Sequence, residues 1–290
     1  MTNRKKILNL LKAVTPPVIK DFALHTYIYV KLRGRHTYRY TISKRLDQLH
    51  LEFNDLWNHP NWINHVRRCL SGNADSDASP NVHVNTIIWS INILSSFFPG
   101  KTIHVLDIGG GVGVYYPFIK RYCKLNIFEL LYTVIDSASN IQYGSEFFAQ
   151  DISINFILSD QLNAKTCIPD PNKLILINIS ATLQYILEWR NYLAWIIHEF
   201  NPKSIVISRF PVSNNAEHEG FAIQDVTSPL GYCGSTKVVL FKRGDLEDFL
   251  DRYGYKKCSE ALCHKPNYFT GGVSDSQFKE ISIMAYSFVK

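Results

Sequence analysis

The stretch "HVLDIGGGVGVYY", His104 to Tyr116, places an apolar run ending in an acid directly before four glycines in five residues. A glycine-rich turn between a strand and a helix lets the backbone approach a ligand closely and aims unpaired helix N–H groups at it. Spacing then sorts the ligands. A dinucleotide fingerprint needs Gly-x-Gly-x-x-Gly, but counted from Gly109 the third position is Val114, and counted from Gly110 the second is Val112. A phosphate-cradling loop ends in Gly-Lys-Ser/Thr, which is missing here. The pattern present is Asp107-x-Gly109-Gly110-Gly111-x-Gly113. A carboxylate at its start repels a pyrophosphate and attracts a cationic amino-acid moiety, directly or through water.

Outward from this stretch, apolar runs alternate with helical patterns. "TIHVLD" (102–107), "LLYTVID" (130–136), "INFILS" (154–159), "KLILINI" (173–179) and "SIVISRF" (204–210) read as buried strands, with helices over 82–98, 114–121, 138–149 and 183–200. Such alternation predicts a parallel sheet covered by helices on both faces. Asp136 closes the second run, 23 residues after Gly113. A carboxylate at the tip of a neighbouring strand can accept both hydroxyls of a ribose. A polar loop, "PVSNNAEHEG", follows the fifth run, then a helix over 243–253 and two strands, 255–263 and 281–289, able to pair as an antiparallel hairpin. A nicotinamide-binding Rossmann domain does not end that way.

The 46% hydrophobic and 19% charged content over 290 residues is that of a globular chain with a sizeable core. Its net charge of +6 is unevenly placed. Residues 1–46 hold eleven Lys and Arg against Asp21 alone, a net +10, and the rest holds 20 bases and 24 acids, a net −4. Apolar residues recur at helical spacing among those lysines up to about Lys31, broken at Pro16-Pro17, and residues 42–70 also read as helical. A basic amphipathic segment suits packing on the main domain or an anionic membrane surface. Nucleic acid is disfavoured because no reading motif accompanies the charge. The polar loop 71–81 separates this basic helical extension, 1–80, from the sheet domain, 81–290. Six dispersed cysteines without paired spacing suit reduced thiols in a cytosol. Cys258, Cys263 and His264 lack a fourth ligand, so no metal is expected. No apolar run reaches membrane-spanning length, and no cleavage site follows the basic start.

"VLDIGGGVG", "TVID" and "FILSD", in order on successive strands, resemble the cofactor site of class I S-adenosylmethionine-dependent methyltransferases. The resemblance implies a Rossmann-like α/β fold: a mostly parallel seven-stranded sheet with a C-terminal antiparallel hairpin. It further implies that Asp107, Gly109, Gly110, Gly111 and Gly113 form the methionine-side loop and that Asp136 holds the ribose. Asp160 would lie by the adenine, and Asn178 and Ser180 would line the floor under the methyl group. More narrowly, "LINISATLQYI", "PKSIVISRFPV" and "KRGDLEDFLDRYGYK" resemble a bacterial methyltransferase family associated with surface-polysaccharide biosynthesis. That resemblance implies a sugar or glycolipid hydroxyl as acceptor; with the cysteine usage and the basic N-terminal helices, the expected location is cytoplasmic, peripheral on the inner membrane face.

Methyl transfer needs a base only when the acceptor is a hydroxyl or a protonated amine. Candidates must reach the carboxyl edge of the sheet, where open α/β folds bind ligands. His218 in the loop after the fifth strand suits a hydroxyl by its near-neutral pKa, Arg209 suits an anionic substrate group, and Gln184 and Tyr185 follow the fourth strand. "NISA" lacks the Asn/Asp-Pro-Pro-aromatic sequence of base-amino methyltransferases, which weighs against a flipped base. A degenerate binding protein of the same fold and a nicotinamide-dependent oxidoreductase are the alternatives. The intact acid–glycine pattern opposes the first, and the failed fingerprint with the terminal hairpin opposes the second.

Overall fold

The computed structural model describes residues 37–43, 70, 82–123, 130–167, 173–214, 220–227, 233–264 and 281–290. In chain order the described strands are β1 (Thr37–Ser43), β2 (Ile103–Ile108), β3 (Leu130–Asp136), β4 (Ile154–Leu158), β5 (Leu174–Ser180), β6 (Ser204–Ser213), β7 (Gly220–Thr227), β8 (Cys233–Lys242), β9 (Lys256–His264) and β10 (Ile281–Val289). The helices are α1 (Val82–Phe97), α2 (Tyr116–Tyr122), α3 (Ala138–Phe147), the single turn α4 (Ala164–Cys167), α5 (Trp189–Phe200) and α6 (Asp245–Asp251).

Seven strands build the principal sheet in the order β4-β3-β2-β5-β6-β10-β9. The first five are parallel, and β10 is antiparallel to both β6 and β9. This is the expected α/β architecture with its terminal antiparallel pair. All residues of β2 and β5 are buried, because their alternate side chains face two cores. Ile103, Val105, Leu174 and Leu176 pack with Val84, Ile87, Ile91 and Leu94 of α1 and Ile119 of α2. Leu106, Ile108, Ile175, Ile177 and Ile179 pack with Trp189, Leu193, Ile196 and Ile197 of α5 and with Leu246, Phe249 and Leu250 of α6. α5 buries this i, i+4, i+7, i+8 stripe and stops at Asn201, whose φ of 41° gives the left-handed cap common at helix ends.

Gly144 of α3 seats the helix on β4, since a Cβ there would lie 2.2 Å from Phe156 Cε1. Gly144→Ala is expected to lower stability by about 1–2 kcal/mol, the overlap outweighing the gain in helix propensity. A urea titration of the variant checks it.

Three points differ from the expected pattern. A single helix over 183–200 is replaced by a 3-10 turn, Leu183–Tyr185, followed by α5, because the backbone turns extended at Ile186, with φ of −97° and ψ of 98°, and so interrupts the helix. The extension 1–80 is not wholly helical, since β1 lies within it; its other residues apart from Leu70 fall outside those described. The region after Phe210 is not a plain loop: β6 runs on to Ser213, and β7 and β8 follow. β1, β7 and β8 form an antiparallel sheet in which Thr37 to Ser43 pair with Thr227 to Phe221. Among the described residues no helix is long and apolar enough to cross a membrane.

The small sheet attaches at an informative place. β10 occupies one edge of β6 along its length, so β5 and β8 share the other. β5 pairs up to Ser180↔Ser208, and β8 takes over at Val212↔Phe241 and Ser213↔Lys242. The three-stranded sheet therefore begins just beyond the carboxyl end of β5. At the changeover Arg209 sits opposite no residue of β10, whose register jumps between Met284 and Ala285, and it has a φ of 59°. A bulge with a non-glycine residue in the left-handed region costs about 1–3 kcal/mol and bends the strand.

Candidate functional site

β2 lies where strand order reverses, with β3 on one side and β5 on the other, and the crevice at such a switch point is where open α/β sheets bind ligands. The glycine turn follows β2 at that place. Gly109, Gly111 and Gly113 have φ of 71°, 60° and 83°, so each uses a backbone region that other residues adopt only at a cost. Their surroundings differ. A Cβ on Gly109 would lie 1.9 Å from Thr182 Oγ1, and one on Gly113 would press on Ile154 at 3.1 Å. A Cβ on Gly111 would meet nothing within 4 Å. Gly109 and Gly113 are glycines for packing, and Gly111 presents bare backbone to open space.

Asp107 braces the turn from below. Its side chain is fully buried: Tyr132 donates its hydroxyl to Oδ2 at 2.5 Å and Asn178 donates Nδ2 to Oδ1 at 2.6 Å. A Cβ on Gly110 would lie 2.5 Å from the same Oδ2, so the loop closes directly over the carboxylate. Burial pushes the Asp107 pKa up to about 6 against the lowering effect of the two hydrogen bonds, with the Asp136 charge adding to the rise. The contact with a cationic moiety expected of this acid, directly or through water, would be made from a buried carboxylate already engaged by Tyr132 and Asn178.

Asp136 ends β3 beside the turn. Its Oδ2 accepts Gly111 N–H at 2.7 Å, and its Oδ1 accepts Ser137 N–H at 2.6 Å and Asn140 Nδ2 at 2.8 Å. Gly109 N–H is donated to Ile135 O at 2.8 Å, which ties the start of the turn to the same strand end. Asp160 is exposed in the 3-10 turn Ser159–Gln161 after β4.

On the other side of β2, Ser180 is buried and Tyr115 shares a 3.0 Å hydrogen bond with its Oγ. Ser208 donates to Ser180 Oγ at 3.0 Å, and Arg209 Nη1 donates to Tyr115 Oη at 3.2 Å. The strained Arg209 backbone therefore aims a guanidinium back toward the residues that follow the glycine turn. Asn178 Oδ1 and Gln184 Oε1 are buried and have no hydrogen-bond partner among the described residues. Such acceptors cost free energy unless something donates to them, which marks this edge as a place for a donor-bearing ligand.

Tyr185 donates its hydroxyl to Gln224 Oε1 of β7 at 2.8 Å, linking the turn after β5 to the small sheet. Its ring packs with Ala222, Val238, Leu240, Ile281 and Ile283. Tyr185→Phe is expected to cost about 1 kcal/mol, read as a lowered urea midpoint. His218 lies outside the described residues.

Asp107, the glycines, Asp136, Asn178, Ser180 and Arg209 thus converge on one sheet edge, and Asp160 stands exposed just past the end of β4 on that same carboxyl edge. Tyr115, Tyr132, Asn140 and Thr182 belong to the arrangement without any spacing signal in the sequence; only their positions within or beside the quoted motifs hinted at them. Among the described residues no three His, Cys, Asp or Glu side chains gather as metal ligands.

No protein-family model and no curated protein matches the chain. Among solved structures it is similar to an S-adenosylmethionine-dependent methyltransferase from Clostridium acetobutylicum, at 12% identity over 79% of this chain and 98% of the other, TM-score 0.47. It is also similar to magnesium protoporphyrin IX methyltransferase from Synechocystis with bound SAH, at 12% identity over 81% and 96%, TM-score 0.47. A third is the CcbJ methyltransferase from Streptomyces caelestis, at 12% identity over 75% and 93%, TM-score 0.44. Likeness at this level carries no statement about chemistry, which rests on the site.

Proposed function

We propose that this chain is an S-adenosylmethionine-dependent methyltransferase acting on a hydroxyl of a sugar or glycolipid intermediate in cell-surface polysaccharide synthesis. The observation that supports it most is the glycine turn at the switch point, open at Gly111 and flanked by the Asp136 carboxylate on the next strand. An open backbone cradle beside a carboxylate suits a cationic amino acid joined to a ribose, and it disfavours a pyrophosphate.

Gly109 to Gly113 would hold the methionine end, Asp136 the ribose, Asp160 the adenine, and Asn178 and Ser180 the floor. The cofactor supplies a methyl carbon already bonded to a cationic sulfur, so the protein's share is alignment and exclusion of water. Tyr185 walls the acceptor side together with the small sheet, Arg209 orients an anionic group of the acceptor, and His218 takes the hydroxyl proton. The acceptor class follows from the sequence resemblance and from the net +10 of residues 1–46, which suits anionic or membrane-bound acceptors. β1 joins this same segment to β7 beside Tyr185.

Calorimetry tests the reading. S-adenosylmethionine and S-adenosylhomocysteine are expected to bind and NAD is not, and Asp136→Ala is expected to weaken binding by roughly 10- to 100-fold. Failure of both sulfur nucleotides to bind overturns it. Incubation of a fractionated lysate with methyl-labelled cofactor then tests the acceptor: label is expected in glycan or lipid, and label in protein or nucleic acid overturns that part.

A further inference from the structure

The end of β3 limits how a ribose can be held. An ionised carboxylate offers about four lone-pair sites, two on each oxygen. Both sites on Asp136 Oδ1 are taken, by Ser137 N–H at 2.6 Å and Asn140 Nδ2 at 2.8 Å. On Oδ2 one is taken, by Gly111 N–H at 2.7 Å. The remaining site therefore lies on Oδ2, the oxygen that holds the glycine turn through Gly111, where an added Cβ would meet nothing within 4 Å.

Ser137 N–H is fixed by the backbone at the start of α3, but Asn140 is a side chain one turn further on. It is 5% exposed, so its amide direction is set by packing. Without its bond, Oδ1 would have a lone pair to offer.

We infer that Asn140 is a positioning residue that reserves one oxygen of Asp136, Oδ2, for a single ribose hydroxyl, so that the cofactor's vicinal diol is read through one hydroxyl and not both. This rests on the cofactor reading above. The two-hydroxyl grip expected from a strand-end carboxylate is thereby replaced by a one-hydroxyl grip with a defined orientation.

The test is calorimetric titration of the full chain with S-adenosylhomocysteine and with its 2′-deoxy and 3′-deoxy forms. Wild type is expected to lose roughly 10- to 100-fold in affinity for one deoxy form, the cost of one hydrogen bond to a charged group, and to bind the other within about threefold. Asn140→Leu, which frees Oδ1, is expected to abolish the difference between the two deoxy forms. A generally loosened structure would weaken all three ligands alike and keep the difference. Asn140→Ser, too short to reach Oδ1, serves the same comparison if the leucine variant does not fold. Comparable losses for both deoxy forms in wild type, or a difference that survives in the Asn140 variants, overturn the inference while the cofactor reading stands. Absence of S-adenosylhomocysteine binding to wild type overturns both.

Discussion

Gly109→Ala is expected to cost about 2–5 kcal/mol of stability and to remove cofactor binding with it. Two effects add. A φ of 71° is unfavourable for an L residue by about 1–2 kcal/mol, and the new Cβ would lie 1.9 Å from Thr182 Oγ1 and 2.8 Å from Thr182 Cβ and Cγ2. Thr182 is β-branched and its hydroxyl is bonded to Ser180 O at 3.1 Å, so relief must come from backbone movement, at a further cost of about 1–3 kcal/mol. Urea unfolding measures the sum. Pairing the variant with Thr182→Gly separates its parts, since that change removes the overlap and leaves the φ cost. Recovery of about half the loss is expected; wild-type stability in Gly109→Ala alone would show that the turn does not need this close approach.

The second large effect concerns pH, and it is hidden in the wild type. Asp107 has a folded pKa of about 6, above its ordinary 3.8, so the native state holds that proton more tightly. Its contribution is fully present below pH 4 and is lost as pH rises to about 6, a change of about 3 kcal/mol. His104 runs the other way. It is buried on β2, where Nε2 pairs with Thr133 Oγ1 at 2.8 Å, and burial, with the Lys173 charge adding, lowers its pKa from 6.5 to about 4. Its neutral form is the one the fold accepts, so stability is lost as pH falls from 6.5 toward 4, again by about 3 kcal/mol. The two slopes oppose each other across pH 4–6 and largely cancel. Asp107→Asn is therefore expected to reveal stability rising with pH through that window, and His104→Gln the reverse. Urea midpoints at pH 4, 5 and 6.5 decide it; parallel profiles for the two variants would refute the assignment.

Legibility followed the range of the interactions. The strand runs around Asp107, Asp136 and Ser180 could be read to within a residue or so because a strand buried on both faces must be a continuous apolar run. The small sheet was not legible. "FAIQDVT" and "TYRYTIS" mix polar and apolar residues; the first is a strand through its pairing with β8 nearby, the second only through pairing with residues some 180 positions away. The bulge at Arg209 was equally hidden, since only the register of β10 against β6 defines it.

The sequence by itself determined the α/β alternation, the turn built on Gly109, Gly111 and Gly113, the terminal antiparallel pair and the acids that close β2 and β3, because these depend on residue type, periodicity and spacing along the chain. Tertiary structure alone decided which way those acids act. It turned the Asp107 carboxylate under the loop toward Tyr132 and Asn178, and gave Asp136 two donors on Oδ1 and one, from the glycine turn, on Oδ2. The reason is physical: a carboxylate in a buried sheet edge takes the donors its neighbours present, and those neighbours come from strands and helices that the local sequence does not specify.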